Sequence, residues 1–322
     1  KNYLLNVQLK GHYRSESLSL IAFSNEHFYD GRLKMTPHFN RINDSEPAID
    51  FMKVYGQWEK QTNIIEAHEV AELVQSLQRK KDNPSIGVVT FNASQQALIQ
   101  ELLEQGSALE KNDLFVKNIE NVQGDERDII IFSTAYGYDT RGKLKAQFGS
   151  LNQVGGENRL NVAISRARKK VIVVTSLDPK DLKVDQTKNA GPKLLKAYLT
   201  FAKDVSEKNF ESHQKYERDF EFDWYLKHQI KNWEKDTSTS LTLDSPYGDI
   251  ALKKRNKFYG LLFTDDNFFY ESLSAKDTIV YRHNLLEEKQ WPFRHFHSRD
   301  FWMNRELMKD RIQKFADQQM DN

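Results

Sequence analysis

Two stretches of this chain carry the side chains best suited to hold an anion. The first is Asn161-Val162-Ala163-Ile164-Ser165-Arg166-Ala167-Arg168, where a helix is expected to point Arg166 out of an α/β scaffold. A guanidinium presents forked donors that match phosphate oxygens. From Asn158 to Leu177 there is no acidic residue, while Arg159, Arg166, Arg168, Lys169 and Lys170 cluster there. A basic run is usually a solvated face, yet this one also suits phosphate contacts at a cleft rim. The second stretch lies upstream, at Val122-Gln123-Gly124-Asp125-Glu126-Arg127-Asp128-Ile129-Ile130-Ile131. It sets an amide, a glycine and carboxylates directly before an apolar run, and glycine lets backbone approach a ligand closely.

The elements that would position these groups follow from hydrophobic period. Ser85 to Phe91 is a β-branched run long enough for a buried strand, and Gln95 to Gln105 places Leu98, Leu102 and Leu103 at helical spacing. Leu114 to Val116 and Asp128 to Thr134 read as strands, Asn158 to Arg168 as a helix, and Lys170 to Thr175 as a further strand. Strands alternating with helices imply a mostly parallel sheet covered on both faces. Ligands of such sheets sit at the carboxyl ends of the strands, and both motifs are expected to flank those ends. Asp178 to Pro192 reads as a surface loop leading into a helix that runs to about Lys203. Beyond Asp204 the aromatic density rises, with Trp224, Trp233, Trp291 and Trp302, and Thr237 to Ser245 reads as a turn or loop. Two domains, 1–203 and 204–322, are expected.

Composition bounds the partners. The 47 basic and 46 acidic side chains of the 322 residues nearly cancel, so nucleic-acid binding requires a local patch. The absence of cysteine excludes disulfides and thiolate metal or redox sites. No apolar run approaches a membrane span and no signal peptide opens the sequence, which predicts a soluble, cytoplasmic protein with no membrane partner.

Taken together, the motifs resemble those of superfamily 1 helicases, in the branch that contains the RNA-surveillance helicases. Gly11-His12-Tyr13-Arg14-Ser15, Leu20 to Asn25 and Phe28 to Leu33 resemble motif IV. Asn63-Ile-Ile-Glu66-Ala67, Gly87 to Gln96, the Gln123 motif and the Arg166 motif follow in family order. The resemblance covers roughly residues 10 to 178 and implies the second RecA-like lobe of such a motor. It implies ATP and Mg2+ as cofactors, with Arg14 and Arg166 facing the nucleotide. Arginine fingers as a class accelerate phosphoryl transfer roughly a thousand- to a hundred-thousand-fold. By the same resemblance Gln123, Gly124 and Glu126 line the nucleotide cleft, and Thr90, Asn92, Asn121 and Arg168 meet the backbone of single-stranded DNA or RNA. Asn63 and Glu66 have a simpler reading, since N-x-x-E forms a capping box. No G-x-x-x-x-G-K-S/T loop occurs in the sequence. The chain therefore reads as the C-terminal part of a motor that needs an N-terminal lobe as partner, inactive in ATP hydrolysis alone.

Residues 216 to 304 resemble the small restriction-endonuclease-like domain of very-short-patch-repair endonucleases. Glu221, Asp249 and Asp265 would supply its metal site if the nuclease is active. The position where that family's E-x-D-G pattern has glutamate is Phe263, and Asp266 stands at the glycine. A phenyl ring cannot bind a hard cation, so a degenerate nuclease with no metal is expected. Two alternatives are a metal-dependent DNA endonuclease and a catalytically inactive nucleic-acid-binding module. His295 and His297, two apart, would share a strand face, more simply as packing groups than as ligands.

Overall fold

The computed structural model describes residues 11–106, 114–146, 148–210, 225–233, 240–245, 247–255, 257–265, 274 and 276–320. The elements begin with β1 (Gly11–His12), α1 (Ser19–Phe28), β2 (Lys34–Met35), α2 (Phe39–Ile42) and β3 (Ile49–Lys53). They continue through α3 (Ile64–Gln78), β4 (Ile86–Thr90), α4 (Ala93–Gln105), β5 (Leu114–Asn118) and β6 (Arg127–Ser133). A short hairpin of β7 (Gly137–Tyr138) and β8 (Leu144–Lys145) precedes α5 (Gly156–Ile164), β9 (Ala167–Thr175) and α6 (Ala190–Ser206). Then come α7 (Tyr225–Asn232), β10 (Ser240–Ser245), β11 (Gly248–Lys254) and β12 (Lys257–Thr264). The chain closes with α8 (Arg282–Glu288), β13 (Phe293–Phe296), α9 (Ser298–Met303) and α10 (Arg305–Met320).

These elements form two compact units. One comprises Lys1–Lys10, Ser17–Leu33 and Glu46–Ser212; the other comprises Gly11–Glu16, Lys34–Ser45 and His213–Asn322. The first unit holds a five-stranded sheet, β3-β9-β6-β4-β5, with every pair parallel. Side chains alternate along each strand, so Val89, Ile130, Phe132, Val171 and Val173 pack with α1, α5 and α6. Val88, Ile129, Ile131, Ile172 and Val174 face the other way, onto α3 and α4. Burial on both faces is why these strands read as continuous apolar runs.

The second unit carries a smaller mixed sheet, β10-β11-β12-β13, antiparallel except for β12 with β13. Its early segments are tied to it by named bonds. The Asn43 side chain both donates to and accepts from the Phe258 backbone, at 2.7 and 2.8 Å, as a neighbouring strand would. Trp291 Nε1 donates to the Pro37 carbonyl at 2.7 Å.

Three expectations need correcting. The helix before Arg168 ends at Ile164, and Arg168 lies within β9, because β9 begins pairing at Ala167 opposite Arg127. Ser240 to Ser245 is a strand rather than a loop, since pairing with β11 buries Leu241 opposite Leu252. His297 lies beyond β13 as the residue before α9, so it does not share a strand face with His295. Among the described residues no helix is long and apolar enough to cross a membrane.

Candidate functional site

The Gln123 and Arg166 motifs meet at the amino ends of β6 and β9, not at the carboxyl ends as expected. The register pairs Arg127 with Ala167, and the Arg127 N–H donates to the Arg166 carbonyl at 3.2 Å. Helix α5 starts against a tight neighbour, since a Cβ on Gly156 would collide with the Leu151 carbonyl. The helix closes with Ser165 N–H on Asn161 O and Arg166 N–H on Ala163 O. Arg166 Nε then turns back to the Val162 carbonyl at 3.0 Å, which sets a cation at a helix C-terminus, where the dipole favours it.

In the segment leading into β6, Gly124 adopts φ of +90°, a conformation strained for other residues, and the space a side chain there would enter is open. Gln123 is exposed and Glu126 half-buried. Lys117 pairs with Asp125 at 2.5 Å, and the Lys117 and Arg127 cations both lie over the Phe115 ring. That clamp fixes the segment between β5 and β6. An open, positive-φ glycine leaves the backbone accessible to a close neighbour. Asn121 is exposed on the turn preceding this segment.

Arg168 is differently engaged. Its Nη2 bonds Asp128 Oδ1 at 2.9 Å, and Lys169 Nζ approaches the same oxygen at 3.4 Å. Burial alone would raise the Asp128 pKa, but the Ser85 N–H, Arg168 and Lys169 outweigh it and hold this carboxyl below its usual range. β6 is seven residues long. Arg168 therefore stands roughly 20 Å along the sheet from Thr90, at about 3.3 Å per residue.

The carboxyl ends of β4, β6 and β9 hold a polar network that joins the Asn63–Glu66 helix start to the Asn92–Gln95 one. Asn63 and Asn92 cap α3 and α4 by accepting from the N–H groups of Glu66 and Gln95. In a capping box the third residue would reach back to its own cap. Here Gln95 crosses instead to the other helix: its Oε1 accepts from Asn63 N–H at 2.8 Å, and its Nε2 donates to Asn63 O and Ser133 Oγ. Glu66, fully buried, accepts from the Ala135 N–H at 2.6 Å and the Ser133 hydroxyl at 3.0 Å. Burial pushes its carboxyl up to about 7, against these hydrogen bonds, which pull it down. Ala135 itself has φ of +57°, a strained backbone that the Glu66 bond holds in place.

Thr90 and Asn92 belong to this architecture. Thr90 is buried and donates its hydroxyl to the Asn92 carbonyl at 2.9 Å, while the Asn92 side chain is the α4 cap. Sequence reasoning missed the cross-linking role of Gln95 and Glu66; the repeated pattern N-x-x-E and N-x-x-Q was its signal.

Arg14 lies in the second unit, on the turn after β1. Lys289, itself buried, donates to the Tyr13 carbonyl at 2.9 Å. His12 Nε2 accepts from the Ser15 N–H at 3.1 Å. Burial drives the His12 pKa down to about 4, assisted by Arg14 and Lys289, so the ring is neutral at pH 7 and acts as this acceptor. The turn that carries Arg14 is thus fixed from both sides.

The carboxylates of the C-terminal sheet serve backbone and hydroxyl donors. Asp249 Oδ2 accepts from Thr264 N–H at 2.7 Å and Thr264 Oγ1 at 3.1 Å. Asp265 accepts from the Ser298 N–H and hydroxyl at the start of α9. Phe263 is 2% exposed and stacks on His295 at 5.1 Å, which stacks in turn on His283 at 4.5 Å. Glu221 and Asp266 lie outside the described residues. Among the described residues no three His, Cys, Asp or Glu side chains are grouped to hold a metal ion.

A five-stranded parallel sheet covered on both faces, with an arginine and a glycine-bearing acidic motif side by side at one end, defines a RecA-like α/β lobe. Residues 1–178 match the AAA domain family, and the chain belongs to it, as the second RecA-like lobe of superfamily 1 helicases. It is 31% identical over 319 residues to the ATP-dependent helicase MG140 of Mycoplasma genitalium, covering 88% of this chain and 27% of that protein. A homolog from Mycoplasma pneumoniae is 29% identical, with the same coverage. Helicase SEN1 of Saccharomyces cerevisiae is 29% identical over 53% of this chain and 8% of its own length. The chain thus spans about a quarter of the length of the Mycoplasma relatives.

Proposed function

We propose that this chain is the second motor lobe of an ATP-dependent helicase or translocase acting on single-stranded DNA or RNA. The observation that supports the reading is the bond joining the two motifs, from Arg127 N–H, which follows Gln123, Gly124 and Glu126 in the chain, to Arg166 O at 3.2 Å. Bound at this edge, ATP would supply the phosphoryl group. Arg166 neutralises charge that develops on the phosphate oxygens, and the Gly124 backbone admits the nucleotide closely. Arg14 carries the second arginine role on its motif alone. Mg2+ would be held by a preceding lobe, as the resemblance implies. The C-terminal unit is read as an endonuclease-like domain without cleavage activity, supported by the buried Phe263 and by the bonds that Asp249 Oδ2 and Asp265 accept from Thr264 and Ser298.

The test is ATP hydrolysis by a polypeptide carrying this chain and a preceding motor lobe, with and without single-stranded DNA or RNA. Strand-stimulated turnover that collapses in Arg166→Ala is expected. Undiminished turnover in that variant would break the arginine assignment.

A further inference from the structure

We propose that Tyr55, Trp58 and Tyr138, with Lys53 and Lys145, form a platform on which the bases of an unpaired nucleic-acid strand stack. The inference rests on the motor-lobe reading and locates a strand-binding surface that none of the helicase motifs contains.

The platform stands at the carboxyl edge of the sheet. Lys53 ends β3, and Tyr138 belongs to the hairpin that follows β6. Tyr55 is 85% exposed and Tyr138 41% exposed, while Trp58 is half-buried. Isolated exposed rings are ordinary, but these lie on two loops bound to each other. Trp58 N–H donates to the Tyr138 carbonyl at 3.0 Å, and a Cβ at Gly137 would lie 3.4 Å from both Gly56 O and Trp58 N.

Cations sit over the rings. Lys53 Nζ lies 5.9 Å from the Tyr55 centroid, and Lys145 Nζ lies 5.6 Å from that of Trp58. Exposed Arg141 and Lys143 add charge at the hairpin tip, where Asp139 is already engaged by the N–H groups of both and by Lys145 at 3.7 Å. In a chain of net charge +1 this is a local positive surface. Aromatic faces interleaved with cations are what an unpaired strand requires, because its bases stack and its phosphates need neutralising. A duplex offers no base faces along its length, and an apolar protein partner would have to desolvate the lysines.

The surface is preorganised. Glu59 and Thr62 exchange both backbone bonds at 2.8 Å around Lys60 and Gln61, which hold positive φ. Gly56 N–H is anchored on Ser176 Oγ at 3.2 Å, and the same hydroxyl accepts from Asn63 Nδ2 at 2.7 Å. The loop therefore rests on the buried network, and little order must be gained on binding.

The test is fluorescence anisotropy of a labelled dT20 strand, a U20 strand and a blunt duplex, titrated with the full chain. The Tyr55→Ala/Tyr138→Ala double variant is expected to bind the strands at least about tenfold more weakly, with an unchanged melting temperature and little change for duplex. The double Phe variant should bind within about twofold of wild type, since stacking needs the ring and not the hydroxyl. Lys53→Ala should lower the slope of log affinity against log salt by about 0.7. Wild-type strand binding that survives the double alanine change would overturn the platform alone, as would a Phe variant as weak as the alanine one. Failure of the wild-type chain to bind either strand would instead overturn the single-strand reading of the lobe.

Discussion

The two ends of the five-stranded sheet use polar residues in opposite ways. At the amino ends of β6 and β9, Gln123, Gly124 and Arg166 stand on short connections, arranged by the strand ladder and stabilised by surface pairs such as Lys117–Asp125. At the carboxyl ends, Asn63, Glu66, Gln95 and Ser133 are buried and bonded to one another. One end presents side chains, while the other uses them to hold backbone. A family motif marks which residue types recur, but not which of these two uses a residue serves.

The largest expected effect tests the presenting end. In a polypeptide that includes a preceding motor lobe, Arg166→Ala should lower ATP turnover by about a thousand-fold or more, with a modest change in KM. Arg166→Lys should recover little, because an ammonium cannot reproduce the planar fork. Steady-state kinetics decide the matter, and a mere tenfold loss would move the chemistry away from the amino end.

The holding end should show itself in stability. Glu66→Ala leaves the Ala135 N–H and the Ser133 hydroxyl without their acceptor in a buried site, and should cost roughly 3 kcal/mol of folding free energy. Glu66→Gln, which keeps the volume and one acceptor, should cost less. The pH dependence has a definite sign. The carboxyl rises from about 4.5 to about 7 on folding, so its stabilising contribution is fully present below pH 4.5. It is lost as pH rises toward 7, by an amount on the order of 2–3 kcal/mol. Denaturant unfolding at pH 5 and pH 8 should show wild type losing more stability across that interval than Glu66→Gln. Equal losses would mean that Glu66 ionises in the folded state as readily as in water.

Much of this was legible in the sequence. The strands β4, β6 and β9 are buried on both faces, so their apolar runs are unbroken and were found within a residue or two, apart from the start of β9. The edge strand β3 was not, because Ile49-Asp50-Phe51-Met52-Lys53 is half-exposed and carries charges. The end of α5 was misplaced for another reason: Ala163 to Arg168 contains no glycine or proline to stop a helix. Pairing of Ala167 with Arg127 stops it instead, a tertiary contact with no local signature. The Arg166 and Gln123 motifs were visible as motifs, whereas the exchange of partners between Asn63 and Gln95 joins residues 32 apart and required the fold.

A smaller effect separates Arg168 from Arg166. Its guanidinium pairs with Asp128, and the side chain is 42% exposed, so Arg168→Ala should cost at most about 1 kcal/mol. If its place at the amino end means what the geometry says, affinity for dT20 should change less than about twofold, apart from a small shift in salt slope. A loss as large as that expected for the Tyr55/Tyr138 pair would bring the strand to the amino end and erase the contrast.

The smallest effects bear on the turn after β4. Asn92→Ala removes the α4 cap and should cost about 1 kcal/mol, visible as a lower unfolding midpoint. Thr90→Val keeps the shape of a fully buried side chain and loses one hydroxyl bond to Asn92 O, a change of about 1 kcal/mol. In both variants strand affinity should follow stability and nothing more, because the Thr90 hydroxyl is bonded to Asn92 O and the Asn92 Oδ1 caps α4. The informative outcome is the opposite one. Should either variant lose tenfold in strand affinity while its unfolding midpoint stays put, the turn itself would touch the strand. The carboxyl end would then bind with its backbone as well as with the rings of the neighbouring loops, and its network would be a binding surface in its own right.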